Sequence, residues 1–488
     1  MTADIALRQY VVLKATAELL AIYPKSIGGT RGSSRDAEDA EPANRQLSEL
    51  QAFTGYLLKQ LNAPPELATA LRVVSAPSFD ATPEIVGLEK TAGRQPPAPD
   101  ELIVAYAFDA AKSLIEFRTL VEDSLGRSLD EQGNAVLRIG TDPGGTTADH
   151  FCPTDSDQIA VGDRAGARSL LAAEVLVTEG LNGRNVNVVI VDEGLDKTRI
   201  PAANWGGGWA VRLSTGVVRQ PGMTRPAAHG SMIARNILDM APQAVIFDLP
   251  LIPPRITNIP LFISGADAIW RTVRLWIQIL RILPRWSGPW IMVNAWGIFD
   301  RASEGVLLGD YSENPAHPFN ITVGETVMHD QLDVIFAAGN CGQFCPSPRC
   351  GPHDRGPGHS IYGANSHPMV LTSGAVLSDE MWLGYSSEGP GQPRLSPAKP
   401  DFCAPSNFRE PRDASVLNTG TSAACALTAG VVAALRSRWP AAVVPPQALK
   451  MLLNFTARQP QGPAWNGRLG HGILDAESAF LGLASQFP

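Results

Sequence analysis

The chain has 488 residues, 44 % of them hydrophobic, and a formal net charge of −8. That length admits about three ordinary domains or one large α/β domain with an addition, and the acidic balance excludes nucleic acid held on a basic surface. Its six cysteines are too few for a disulfide scaffold, and no run of about 18 uncharged apolar residues marks a membrane span.

The opening stretch, MTADIALRQYVVLKATAELL, carries an acid at Asp4 and no basic lead into an apolar block. It reads as an amphipathic helix rather than a signal peptide, so the expected location is cytoplasmic. Helical spacing recurs in LSELQAFTGYLLKQL, at Leu47, Leu50, Phe53, Leu57 and Leu61, and over the longer ELIVAYAFDAAKSLIEFRTLVEDSL. Polar and Pro-rich linkers, GGTRGSSRDAEDAEPANR and TAGRQPPAPD, separate these stretches. The pattern predicts a mainly helical N-terminal domain over 1–135, regulatory or partner-binding, with a pro-segment as the alternative. A linker over 136–164 lies within the Gly/Asp/Thr-rich passage from Gly140 to Arg168, and a catalytic domain follows over 165–488.

In that last region the pattern changes. VNVVIVDEG, QAVIFDLPL, WIMVNAWG, LDVIFAAGN and PMVLTSGAV are nearly continuous apolar runs that end in small or polar residues, with helical stretches between several of them. Such runs read as strands buried on both faces, and their alternation with helices implies an α/β fold with a parallel sheet flanked by helices. Functional groups in such sheets gather beyond the carboxyl ends of the strands. There the sequence places Asp192 after VNVVIV, His229 at the start of HGSMIARNIL, Asn340 after VIFAAG, and Ser422 where NTGTS opens a run of small and apolar residues. Singly, each has a plain structural reading: a strand-end acid, a core histidine, a turn asparagine and a helix cap. Together they supply a hydroxyl, a base, a carboxylate to orient the base, and an amide donor for a developing oxyanion, the parts that acyl transfer needs.

The order Asp, His, Ser is that of subtilisin-like proteases, and the sequence resembles the subtilase family of serine peptidases well beyond those residues. VVIVDEGLD resembles the family's Asp strand, HGSMIA its His-Gly-Thr helix start, FAAGN its oxyanion strand and GTSAACALTAG its nucleophile helix. GYSSEGPG, KPDFCAPS and RLGHGILDAESAF are similar to the segments that flank and follow these. The likeness covers roughly 165–485. It implies Ser422 as nucleophile, His229 as general base, Asp192 as its orienter and Asn340 as oxyanion donor. It also implies that Ala295, Trp296 and Gly297 pair with an extended peptide substrate, beside Gly420 at the nucleophile turn. The activity so implied is that of a serine endopeptidase working through an acyl-enzyme; the lack of an export signal and the helical N-terminal region add the expectation that it is intracellular and regulated. An acyl transferase that ligates or macrocyclises peptides is one alternative, and a catalytically silent scaffold with the same fold is another. The chemistry requires no cofactor. Structural calcium is an open expectation at Asp-bearing loops such as Asp142 to Asp157.

Several positions depart from the family pattern. Glu193 stands where a small hydroxyl residue is usual, and solvent is its expected direction. Asp196 is a rival orienter that lacks a strand before it. Ser406 replaces a Gly, and Cys425, Ala426 and Leu427 alter the nucleophile helix and are expected to change a pocket floor. Cys341, Cys345 and Cys350, with His353 and His359 behind them, have near-zinc spacing but no tight Cys-x2-Cys pair, so free thiols beside the oxyanion residue are expected. Such thiols would make activity sensitive to redox state. AIWRTVRLWIQILRIL is expected to be a core-packed helix whose Arg271, Arg274 and Arg281 form a solvated basic edge.

Overall fold

The computed structural model describes residues 7–14, 53–75, 80–88, 101–125, 137–144, 146–147, 162–212, 218–225, 228–252, 263–411, 416–459 and 465–488. In the N-terminal region the strands are β1 (Arg8–Lys14), β2 (Leu71–Ser75), β3 (Asp80–Ile85), β4 (Glu101–Phe108) and β5 (Leu137–Thr141). Four of them form an antiparallel sheet in the order β2-β4-β1-β5, with Val11 opposite Val104 and Ile139. Helix α1 (Ala111–Leu125) and a helix over 53–60 cover one face of it.

This corrects the expectation of a mainly helical region. The segments RQYVVLK and ELIVAYAF, both read as helix, are strands. Along β1, Tyr10 and Val12 face the core of the larger domain, while Val11 and Leu13 pack with Phe53, Leu57 and Phe117 on the other side. A strand buried on both faces shows no polar alternation, so period counting cannot separate it from a buried helix. The long helix expected from Glu101 to Leu125 is a strand and a helix broken at 109–110. Of LSELQAFTGYLLKQL, residues 53–60 are helical and 47–52 lie outside the described residues. The expected boundaries shift too: β5 extends the N-terminal sheet past residue 135 into the proposed linker.

The large domain is built on a nine-stranded sheet. It contains β7 (Asn187–Asp192), β8 (Trp205–Arg212) with short β9 (Val218–Arg219), β10 (Val245–Pro250), β11 (Trp290–Asn294), β13 (Asp333–Ala337), β14 (Leu371–Val376) and β15 (Phe402–Pro405). The order is β15-β14-β13-β11-β7-β10-β8-β3, and from β15 to β8 every pairing is parallel. The chain leaves β7 toward β8 and β10 on one side, then crosses to β11 on the other. β7 is therefore the switch point where such sheets open a crevice. Strand β3, from the N-terminal region, joins this sheet antiparallel to β8.

The two sheet faces bury separate cores. Val188 and Ile190 of β7 pack with helices α2 (His229–Met240) and, further on, α5 (Gly420–Arg436). Val189 and Val191 pack toward α3 (Ile263–Arg281) and α4 (Pro318–Met328). Helix α3 sits in the core as expected, with Ile269, Trp270, Val273 and Ile277 buried. Its arginine edge is not solvated: Arg271 pairs with Asp267 and with Glu101 of β4, and Arg274 pairs with Glu325 and Asp330. Among the described residues no helix is long and apolar enough to cross a membrane.

Candidate active site

β7 delivers Asp192 to the carboxyl edge of the sheet, where it is fully buried. Both carboxylate oxygens lie 2.8 Å from His229 Nδ1. That contact fixes the tautomer with the proton on Nδ1 and leaves Nε2 as the basic nitrogen. Gly194, at φ +97°, turns the chain away from the strand. A Cβ there would stand 2.3 Å from Thr224 Oγ1, so only glycine fits. Asp196 is no rival orienter: its carboxylate accepts from the backbone and side chain of Thr198, and its own N–H donates to Ser231 Oγ at 3.0 Å.

Helix α5 opens at Gly420, whose φ of +71° again requires glycine. Its N-cap residue is Thr419, so Ser422 is not the cap; it is the third residue of the first turn. There the helix dipole favours developing negative charge. Ser422 Oγ donates to the Ala295 carbonyl at 3.4 Å, which places the hydroxyl against the strand leading to Trp296 and Gly297. Asn340 is oriented by Thr421: its Oδ1 accepts from the Thr421 N–H at 3.0 Å and from the Thr421 hydroxyl at 2.9 Å. With the carbonyl end engaged, the amide end of Asn340 is the one turned away from Thr421.

Neighbours outside the expected set hold these residues. The Gly420 N–H donates to Tyr385 Oη at 3.0 Å, and Ser406 Oγ donates to the Gly420 carbonyl at 2.7 Å. Ser406, a departure from the family pattern, therefore clamps the nucleophile turn. Asn365 Nδ2 donates to the carbonyls of Trp296 and Ala337, both at 2.8 Å, tying the strand beside the nucleophile to the one before Asn340. Thr421 adjoins the serine motif and Tyr385 lies within GYSSEGPG, so both were within reach of the sequence; Asn365 carried no signal. Cys425, Ala426 and Leu427 lie in the core under the helix rather than in a pocket floor. Burial pushes the Cys425 thiol far above its ordinary value.

Two expectations fail here. Glu193 does not point to solvent: it is buried, and its Oε1 accepts the His229 backbone N–H at 2.7 Å. The helix behind it places a donor where a strand end alone would show only water. The thiols are not free either. Cys341 and Cys350 form a disulfide with Cα atoms 5.8 Å apart, and Cys345 is also disulfide-bonded. The chain folds back after Asn340, a proximity that spacing cannot reveal. The basis for a free-thiol redox response is therefore gone. Of the calcium expectation, Asp142 is spent on Ser264, accepting from its N–H at 2.9 Å and its hydroxyl at 2.8 Å. Within that loop, 145 and 148–157 lie outside the described residues.

The charged groups behind the base form one buried cluster. Asp248 of β10 accepts from the N–H groups of Gly222, at 2.7 Å, and Leu195, at 3.3 Å. Burial pushes its carboxyl up to about 7, with the charge of Asp192 acting in the same direction. Arg219 is the local cation and donates to the carbonyls of Glu193, Pro250 and Ile252.

Beside Ser422, β12 (Trp296–Gly297) is already paired. β6 (Thr146–Thr147) lies antiparallel to it, with Thr147 opposite Trp296 and Thr146 opposite Gly297. The chain's own segment thus occupies the edge where an extended peptide was expected. A Cβ on Gly297 would stand 3.0 Å from Asn365 Nδ2, so the glycine admits that asparagine.

A parallel sheet switching at β7, an aspartate–histidine pair at its edge and a serine in the first turn of a buried helix define the subtilisin-like class. The profile of the subtilase family matches residues 284–472. That stretch contains Asn340 and Ser422; Asp192 and His229 precede it. Mycosin-1 from Mycobacterium tuberculosis is 29 % identical over 200 residues, which is 36 % of this chain and 44 % of that protein. The chain therefore matches less than half the length of that relative. Among solved structures, MycP1 with its N-terminal propeptide removed aligns at a TM-score of 0.42 and 19 % identity, over 64 % of this chain and 96 % of that one. Fervidolysin from Fervidobacterium pennivorans, a keratinolytic enzyme related to subtilisin, aligns at a TM-score of 0.52 and 14 % identity, over 97 % of this chain and 60 % of that one. The second likeness shows a shared fold.

Proposed function

We propose that the protein is a serine endopeptidase that cleaves peptide bonds through an acyl-enzyme on Ser422. The observation that carries this reading is the Asp192–His229 pair, at 2.8 Å, on the same sheet edge as a helix-mouth serine backed by an oriented asparagine. His229 Nε2 takes the Ser422 proton as the hydroxyl attacks the scissile carbonyl, then returns it to the leaving amine. Asp192 holds the ring and stabilises the imidazolium. The Asn340 amide and the Ser422 backbone N–H receive the oxyanion. Substrate binds as an extended strand along Trp296–Gly297, where main-chain pairing gives affinity with little sequence preference. Thr146–Thr147 must first leave that edge.

The N-terminal region is proposed to remain with the catalytic domain as a regulatory part. Strand β3 completes the large sheet, Tyr10 donates to Asp267 at 3.2 Å, and Arg118 binds Asp310 through two hydrogen bonds at 2.7 and 2.9 Å. The Cys341–Cys350 bond supports work in an oxidising compartment, since cytoplasmic thiols are kept reduced.

Labelling with a fluorophosphonate tests the activity, on the whole chain and after limited proteolysis. Covalent label on the wild type and none on Ser422→Ala is expected. Label that survives the substitution would put the reactive nucleophile elsewhere than Ser422, and its absence from the wild type in both states would leave a silent scaffold. The masses of products from a model peptide then separate hydrolysis from ligation.

A further inference from the structure

The position after the orienting aspartate holds a glutamate, and its side chain takes a specific part. Helix α2 begins at His229, yet its N-cap residue is Ala228, which offers no side-chain cap. The first turn of a helix leaves backbone N–H groups without intrahelical partners. Glu193 meets one of them from outside the helix, accepting the His229 N–H at 2.7 Å. The Glu193 N–H in turn donates to Asp192 Oδ1 at 2.7 Å, and the Asp192 carboxylate holds the imidazole of the same histidine. The contacts close a ring: adjacent carboxylates grip one residue, Asp192 by its side chain and Glu193 by its main chain. A second tie runs from the Asp196 N–H to Ser231 Oγ, and a Cβ on Gly230 would stand 2.5 Å from the Gly194 carbonyl. The loop after β7 and the start of α2 therefore seat as one unit.

Building on the peptidase reading, we infer that Glu193 is a positioning residue for the general base: its carboxylate caps the helix that carries His229 and fixes where the imidazole stands. The charged groups around it are Asp192 on its own strand, His229 on α2, Asp248 on β10 and Arg219 on β9, the last bound to the Glu193 carbonyl. A charge-assisted bond to a backbone N–H is among the stronger kinds, and displacing a reacting group by a fraction of an ångström is enough to slow chemistry.

The inference separates geometry from charge, and three variants test it. Glu193→Gln keeps an acceptor on a side chain of the same length but removes the negative charge. Glu193→Asp keeps the charge but stops one methylene short of the helix. Glu193→Ala removes both. Each is assayed for kcat and KM on a peptide substrate across pH, with thermal melts confirming the fold. Both Ala and Asp are expected to lower kcat about tenfold with KM nearly unchanged, and Gln to stay within about threefold of the wild type. The acid limb of kcat/KM is expected to move to lower pH in Gln, where a negative charge beside the imidazolium is lost, and to stay in place in Asp. If Ala does not fold, the Gln and Asp pair carries the test alone. Wild-type kcat in Asp, or Gln as slow as Asp, would overturn the capping role. A wild type that takes no fluorophosphonate defeats the peptidase reading itself, and that result is known before any variant is compared.

Discussion

The base and nucleophile halves of the proposed active site are held by different kinds of group. On the base side the neighbours are ionisable: Asp192 and Glu193 bind His229, Asp248 lies behind their loop, and Arg219 ties the main chain together. On the nucleophile side they are neutral: Thr421 orients Asn340, Tyr385 and Ser406 clamp Gly420, and Asn365 joins the flanking strands. The chemistry explains the division. A base that becomes an imidazolium gains from negative charge next to it, whereas a serine that must yield an oxyanion gains from fixed dipoles and is harmed by a nearby carboxylate.

The largest expected effect removes the charge on the base side without changing its shape. Asp192→Asn is expected to lower kcat by about 10^4-fold, because the amide no longer enforces the required tautomer. Steady-state kinetics on a peptide substrate measures it, and a loss below about a hundredfold would deny the base side its dependence on charge. Next comes the neutral side. Asn340→Ala is expected to lower kcat by about 10^2–10^3-fold with KM little changed. A rise in KM with kcat intact would place Asn340 in ground-state binding instead, and the two halves would no longer divide as described.

The last effect is on stability rather than on rate, and it depends on pH. Asp248 has its carboxyl raised to about 7 in the folded chain, above about 3.9 when unfolded. Below about pH 4 both states hold the proton. As pH rises from there toward 7, the unfolded state gives it up first, so this group's contribution to stability falls. Asp248→Asn lacks that titration and is expected to gain on the wild type by up to about 4 kcal/mol between pH 4 and pH 8. Denaturant unfolding at both pH values measures the gap. A constant gap would mean that the base side pays no electrostatic penalty at Asp248.

Legibility followed the same physics across the molecule. β7, β10, β11, β13 and β14 stood out in sequence because strands buried on both faces read as long apolar runs with polar ends, and the expected Asp, His, Asn and Ser fall at those ends or at helix starts. β1 and β4 have the same apolar character, yet they lie among helices, and the helical period absorbed them. The direction of Glu193 was illegible for another reason. A side chain leaving a strand end takes its direction from whatever packs above it, and α2 begins 37 residues after Asp192.

By itself, the sequence determined the elements and the chemistry available to them: a parallel α/β sheet with acid, base, amide and hydroxyl in subtilase order. These follow from local patterning and residue type, which every segment carries alone. Only the tertiary structure decided that Glu193 caps the base helix and that Cys341 meets Cys350. The same holds for Thr146–Thr147 on the substrate edge and for the N-terminal strand that completes the large sheet. Each of these is a meeting of segments distant in sequence, and hydrogen bonds of that kind exist only once the chain has closed around them.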